Sequence, residues 1–279
     1  MSVAPQGHEQ HQDRTQLGHE RRPHREQHDL AMSRDYRICD VQHYGGYTAL
    51  SLVAGGLANR SAPGQFVMVA VPGGGSLLRR PFSLYRVDGE TVGLLIEARG
   101  PGSVRLTEVD VGDTLGVAGP LGGGFDLTGV TDALLVGGGI GTAPLQYLAD
   151  ALTARGASVA AAFGFRDQRQ TRLAGAFAIA NLSVASEDGS LGRRGTVVDL
   201  LDEHEIEPWT TIFVCGPLPM IRAVQDRVKG RGRRNQASLE AHMACGSGSC
   251  HGCVIDTRGG LMRVCSEGPV FALDSVEIP

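Results

Sequence analysis

Cys245, Cys250 and Cys253 fall within nine positions in "MACGSGSCHGCVI", and Cys265 follows in "VCSEGPVF". Four of the chain's six thiols in one glycine-laden stretch can form disulfides, close on a zinc ion or hold an iron–sulfur cluster. The spacing is C-x4-C-x2-C, then eleven residues, then the fourth Cys. Its first part is a spacing that holds [2Fe–2S] clusters. Zinc favours two C-x2-C knuckles, and only one is present. Gly246, Gly248 and Gly252 let a tight loop turn successive thiolates inward. Their bare backbone also brings N–H groups close to sulfurs that carry excess negative charge. The spacing therefore favours the cluster over zinc. The N-terminus has no apolar run of an export signal, so the expected compartment is the reducing cytoplasm, where disulfides are disfavoured. Cys39 and Cys215 stand apart and are not ligands by spacing.

Three further stretches could bind phosphate. "GGGIGTAPL" follows an apolar strand and precedes an amphipathic helix, so its backbone N–H groups and the helix N-terminus can face an anion. It is not a strict G-x-G-x-x-G, and no acidic ribose ligand is obvious about twenty residues on. Taken alone it is equally a strand–helix turn that needs glycine. In "RRPFSL" an arginine beside a rigid proline and a hydroxyl could clamp a pyrophosphate through its guanidinium, or could be a charged strand end. "GPGS" (Gly100–Ser103) reads as a phosphate loop or, by itself, as an ordinary turn.

These residues need elements to position them. The 279 residues suffice for two compact domains with real cores, and 42% are hydrophobic, as in a globular chain. A net charge of −4 gives no electrostatic ground for a nucleic-acid partner. No run of about 18 apolar residues exists, so no membrane span is expected. Residues 1–33 hold five of the nine histidines and almost no large hydrophobic residue, so a disordered tail is expected there. From residue 34 to about 128, "YRICDVQHYGGYTALSLVAG", "GQFVMVAV", "RRPFSLYRVDGETVGLLIEARG" and "DTLGVAG" are short alternating runs between turn residues. They predict a small antiparallel barrel with no helical-length segment, ending near "GPLGGGFDL". Residues 129–235 alternate strand and helix: "DALLVGGGIGTAPLQYLADALTARG", with Leu145, Leu148 and Leu152 on one helix face, then "SVAAAFGFR", "LSVAS" and "TTIFVCGPLPMIRAVQDRVKG". That pattern predicts a parallel α/β sheet. "KGRGRRNQ" reads as an exposed connector, and the cysteine-rich piece, residues 236–279, closes the chain. The fold class is thus α+β multidomain: an antiparallel β-barrel, a parallel α/β nucleotide domain and a small C-terminal [2Fe–2S] domain.

The order of these motifs resembles the ferredoxin-reductase superfamily, and within it the electron-transfer subunits of NAD-dependent (class 1B) dihydroorotate dehydrogenase. The likeness runs from about Arg34 to the end, and "SLEAHMACGSGSCHGCV" with "CSEGPVF" is its most specific part. The resemblance implies FAD held by Arg80, Pro81, Phe82 and Ser83, lined by Leu95, Ile96 and Glu97, with Gly102 and Ser103 on its phosphates. It implies NAD(H) held by Gly138, Gly139, Ile140, Gly141 and Thr142 and by the turn of Gly216, Pro217 and Met220. Cys215 of that turn is expected beside the nicotinamide as the catalytic side chain, and Cys245, Cys250, Cys253 and Cys265 as cluster ligands. The implied partner is an FMN-containing catalytic dihydroorotate dehydrogenase subunit in a heterotetramer, acting in pyrimidine biosynthesis. An NAD(P)H-linked FAD/[2Fe–2S] subunit of a hydrogenase, sulfide or ferredoxin oxidoreductase is the alternative within the class, and a zinc-stabilised non-catalytic adaptor the alternative outside it. The sequence departs from the family at Ser103, where Thr is usual, and at Ser247 and His251, where apolar residues are usual. The last two bear on the cluster's exposure and potential.

Overall fold

A computed structural model describes residues 33–278 except 75, 205 and 233. The expected N-terminal tail, apart from Ser33, lies outside the described residues.

The first six strands close a barrel in which every neighbouring pair is antiparallel. They are β1 (Arg34–Tyr44), β2 (Tyr47–Val53), β3 (Phe66–Val69), β4 (Arg80–Asp88), β5 (Thr91–Glu97) and β6 (Thr114–Leu121), in the order β1-β2-β5-β4-β3-β6. Period-two alternation drives this: Leu50 and Leu52, Val67 and Val69, Leu94 and Ile96, Leu115 and Val117 all point into one buried cluster. Tight turns reverse the chain between paired strands, at Gly45–Gly46 with Gly45 at φ +67°, and at Gly89 with φ +54°. Two short helices depart from the expected all-strand barrel: α1 (Gly55–Ala58) and α2 (Pro101–Thr107). Leu57 and Leu106 carry them into the barrel core. At four and seven residues they are too short to show a helical period in the sequence. The "GPGS" stretch, taken alone an ordinary turn, is the start of α2, with Pro101 in the first turn, where a missing N–H costs nothing.

The second sheet holds β7 (Asp132–Gly138), β8 (Ser158–Phe165), β9 (Asn181–Ser186), β10 (Arg193–Arg194), β11 (Thr211–Cys215), β12 (Gln236–Ser238) and β15 (Val270–Ala272). Between the last two, β13 (Val254–Thr257) and β14 (Gly260–Arg263) pair as a separate hairpin. The order is β10-β9-β8-β7-β11-β12-β15, parallel throughout except β15. Both faces are covered, so strands alternate between two cores. Leu134, Val136, Ile212 and Val214 face the core with α6 (Leu218–Arg227), while Ala133, Leu135, Phe213 and Cys215 face the core with α3 (Ala143–Ala154). Leu145, Leu148 and Leu152 of α3 are fully buried, as the periodicity predicts. Short helices α4 (Gln168–Thr171) and α5 (Val197–Leu200) complete the crossovers. From β7 the chain moves outward through β8 and β9, then returns to the other side of β7 at β11. The ends of β7 and β11 therefore form the switch point of the sheet, where open α/β sheets bind ligands.

The expected boundary at 235/236 falls immediately before β12, a strand of this same sheet. The cysteine-bearing segment begins and ends as sheet strands, and Cys253, Val264, Cys265, Phe271 and Leu273 share one core with α6. The barrel meets the sheet through the Tyr147 hydroxyl donating to the Ser61 carbonyl (3.0 Å), the Tyr85 hydroxyl donating to the Ala176 carbonyl, and Arg86 facing Asp150 (3.7 Å). Among the described residues no helix is long and apolar enough to cross a membrane.

Candidate functional site

Between barrel and sheet lies a cleft of about 410 Å3. One wall is the start of β4, Arg80 to Ser83, with Leu95 and Glu97 of β5 beside it. The entry to α2, Gly100 to Ser103, forms one end, and Ile140 and Ala143 of the first sheet turn face it from the other domain.

Arg80 is the fixed cation of this cleft. Its Nη1 donates to the Leu78 carbonyl at 2.7 Å, and the guanidinium lies against the bare backbone of Gly102. A Cβ at Gly102 would stand 2.9 Å from Arg80 Nε, so any side chain there displaces the guanidinium from this position. Arg79 donates instead to the Gly116 carbonyl on the barrel wall, at 3.1 Å, and does not line the cleft. The Ser103 hydroxyl accepts the N–H groups of Arg99 (2.9 Å) and Gly100 (3.1 Å) and donates to the Gly100 carbonyl. It orders the loop entering α2, a task that the hydroxyl of Ser performs as well as that of Thr. Ile96 corrects an expectation: it is fully buried and points into the barrel core while Leu95 and Glu97 line the cleft. Strand alternation forbids three successive residues from sharing one face.

At the sheet's switch point two turns interlock. A Cβ on Gly141 would meet Gly216 Cα at 2.5 Å and the Cys215 carbonyl at 2.8 Å; one on Gly138 would meet Met220 Sδ at 2.4 Å and Pro217 Cδ at 3.2 Å. Gly139 sits at φ +54°, and the Thr142 hydroxyl donates back to the Gly139 carbonyl at 2.7 Å. All the expected nucleotide residues thus gather at the ends of β7 and β11. Cys215 needs correction as a side chain. It is 1% exposed, does not line the cleft, and faces the α3 core. Burial pushes its thiol well above the usual range, the nearby Glu240 carboxylate adds to that, and the Ser238 hydroxyl opposes it. A neutral, enclosed thiol does not act as a nucleophile or acid.

Besides Phe66, Arg99, Ala143 and Pro269, the lining residues that the sequence reading did not assign come from one segment, Ser238 to Met243, which leaves β12 along the cleft. Glu240 opens onto the cleft, yet enough protein surrounds it to raise its carboxyl. Glu97 adds to the rise and Arg99 opposes it. Arg99 itself is paired to Glu97 at 2.5 Å. Only the position of "SLEAHM" just ahead of the cysteines signalled this segment.

That segment runs directly into the cysteine loop. Each of the four sulfurs accepts a backbone N–H: Cys245 from Ser247 (3.4 Å), Cys250 from Gly252 (3.4 Å), Cys253 from Cys265 (3.4 Å) and Cys265 from Gly248 (3.1 Å). Gly246 and Gly248 adopt φ +69° and +83°, and His251, exposed, adopts φ +57°. All six cysteines are free thiols. Burial opposes ionisation of Cys245, but N–H groups of Cys250 and Ser247 outweigh it and bring the thiol down to about 6. Burial and the neighbouring Cys253 push Cys265 up. Among the described residues no group of three or more His, Cys, Asp and Glu side chains is drawn together to hold one metal ion. Four sulfurs, each with an N–H donor, suit a thiolate-ligated cluster with excess negative charge.

An electron-transfer subunit of dihydroorotate dehydrogenase B (NAD(+)) from Geobacillus thermodenitrificans (strain NG80-2) is 38% identical to this chain over 231 residues, 79% of this chain and 88% of the relative. The protein of the same name from Bacillus caldolyticus is 40% identical over 225 residues, 77% of this chain and 86% of the relative. The chain belongs to this family. The iron–sulfur cluster binding domain of dihydroorotate dehydrogenase B matches residues 240–277, which enclose all four loop cysteines. Among solved structures, the NADH-dependent reduced ferredoxin–NADP oxidoreductase superimposes with a TM-score of 0.75 at 23% identity, over 87% of this chain and 90% of that one. That likeness shows the shared fold.

Proposed function

We propose that this chain carries electrons between NAD and the flavin of a catalytic dihydroorotate dehydrogenase subunit, through FAD in the barrel–sheet cleft and a [2Fe–2S] cluster in the cysteine loop. The observation that carries the reading is continuity: one segment, Ser238 to Met243, lines the cleft and enters the cysteine loop two residues later.

The chain's own groups divide the work. The Arg80 guanidinium beside bare Gly102 is built to neutralise a pyrophosphate. Pro81, Phe82, Ser83, Leu95 and Glu97 wall the cleft for a flat ring system, and α2 begins at its phosphate end. The N-terminus of α3, opened by Gly138–Thr142 at the switch point, is placed for the nicotinamide nucleotide's phosphates. Gly216, Pro217 and Met220 hold that turn in place. Glu240 is an acidic group on the cleft wall whose carboxyl its surroundings raise above the ordinary range. Cys245, Cys250, Cys253 and Cys265 hold the cluster. When bound, the flavin supplies the exchange between hydride and single-electron transfer, and the cluster supplies a one-electron relay. The chain accordingly divides by task into a flavin barrel (34–128), nucleotide-binding βα units (129–235) and a cluster segment (236–279) whose β12 and β15 complete the sheet. Free thiols throughout fit a reducing cytoplasm.

The test is reconstitution. The full chain alone oxidises NADH with ferricyanide and does not turn over dihydroorotate, because among the described residues no side chain is positioned as base for a carbon acid beside a second flavin. Adding the catalytic subunit couples dihydroorotate oxidation to NAD reduction. Turnover of dihydroorotate by this chain alone would overturn the reading.

A further inference from the structure

Gly248 carries the shortest of the four N–H···S contacts, and something must hold it there. A Cβ at this residue would stand 3.0 Å from Ser266 Oγ and 3.4 Å from Arg263 Nη1. The Gly248 carbonyl accepts from Arg263 Nη1 at 3.0 Å. One residue therefore links a cluster sulfur on its N–H side to a guanidinium on its carbonyl side.

Arg263 is clamped in turn. It closes β14, two residues before Cys265. Glu267 receives its main-chain N–H at 2.5 Å, its Nε at 3.1 Å and its Nη2 at 2.6 Å. The Arg263 carbonyl collects the N–H groups of Ser266, Glu267 and Gly268. The two side chains are only 31% and 35% exposed, so water screens the pair incompletely. A bidentate, partly buried guanidinium this firmly held is a fixed positive charge at the edge of the cysteine loop.

We propose that Arg263 is a positioning residue that sets the cluster's reduction potential, its charge favouring the more negative reduced state while Glu267 holds it and offsets part of that charge. The proposal rests on reading the four cysteines as the cluster's ligands. Potentials of such clusters follow net charge, hydrogen bonds to sulfur and exposure. Arg263 acts on the first directly and on the second through Gly248. Removing Arg263 leaves Glu267 as an unbalanced negative charge, and neutralising Glu267 leaves Arg263 as an unbalanced positive one. A buttress acting by shape alone responds to both in the same way, since each breaks the same pair.

The experiment is a redox titration of the full chain at fixed pH, read by the EPR signal of the reduced cluster. The pH is held because His251 lies within reach of the Glu267 charge. Arg263→Gln lowers the midpoint and Glu267→Gln raises it. At the unsubstituted chain's midpoint, Arg263→Gln cuts the reduced-to-oxidised ratio about tenfold, ~59 mV for a one-electron couple. Arg263→Lys, which keeps the charge, stays closer to the unsubstituted value. Shifts of the same sign, no shift, or loss of the cluster in all three variants would overturn the proposal and leave Arg263 a buttress. If Arg263→Gln alone loses iron, a raised midpoint in Glu267→Gln supports the proposal, and a lowered or unchanged one overturns it. An unsubstituted chain that binds no iron breaks the ligand reading instead.

Discussion

The cleft and the cysteine loop solve the same problem, holding a redox group, by opposite means. The cleft takes its walls from several segments spread along the chain, most of them on a strand or at a helix entry, and its geometry is only as good as the packing between barrel and sheet. The cysteine loop draws its ligands from 21 consecutive positions, Cys245 to Cys265, three of them in an irregular turn and the fourth just past the β13–β14 hairpin. Its order comes from backbone N–H groups aimed at sulfur and from glycines at positive φ. A site built from distant elements should weaken by degrees when one wall is altered. A site built from one loop should fail outright when one ligand goes.

The largest expected effect tests that contrast directly. Cys253→Ser removes a buried ligand, so the purified protein should lose its about two irons per chain while retaining flavin. Iron assay and the flavin absorption spectrum read both at once, and joint loss of flavin would mean the two sites do not stand independently. Next comes Gly141→Ala, which forces a methyl into the Gly216 backbone. Overpacking of this kind costs ~1–3 kcal/mol, and NADH-driven flavin reduction in a stopped-flow trace should slow sharply with the iron content unchanged. The Arg80→Ala change should weaken FAD retention about tenfold or more, since a charged hydrogen-bond partner contributes ~1.5–3 kcal/mol. Arg79→Ala, which touches only the barrel wall, should weaken it much less, and equal losses in equilibrium dialysis would show that the assigned wall is wrong.

The smallest effect is a pH dependence. Burial raises the Glu240 carboxyl above its ordinary 4.5, so the native state keeps a proton that the unfolded chain releases. Its contribution to stability is present below 4.5 and is lost as pH rises through the raised value. The melting temperature of Glu240→Gln should therefore gain on that of the unsubstituted protein as pH climbs from 4.5 towards neutrality. A difference that stays flat over that range would place Glu240 in open water.

Much of this was readable before any coordinates. Barrel strands announced themselves by period-two alternation, and α3 by Leu145, Leu148 and Leu152 on one face. Short elements did not: α1 and α2 have too few residues for a period, and β12 and β15, three residues each, carry none. Membership of the family was legible in the order of motifs, because each motif is local and the order survives any folding. The roles of Ile96 and Cys215 were misjudged for one reason. A motif names neighbours in sequence, and alternation along a strand sends every second side chain to the opposite face.

The sequence by itself determined where the ligands lie along the chain, since cluster spacing and the glycines that permit it are properties of a continuous stretch. It also determined the division into alternating runs and βα units, because burial on one face imposes a period on the residues. Tertiary structure alone decided that Ser238 to Met243 bridges cleft and loop, that Gly138 and Gly141 are required by the turn at Gly216, and that Arg263 reaches Gly248. These contacts join segments whose separation in sequence carries no signal, and only the close packing of strands against one another brings them within hydrogen-bonding or van der Waals range.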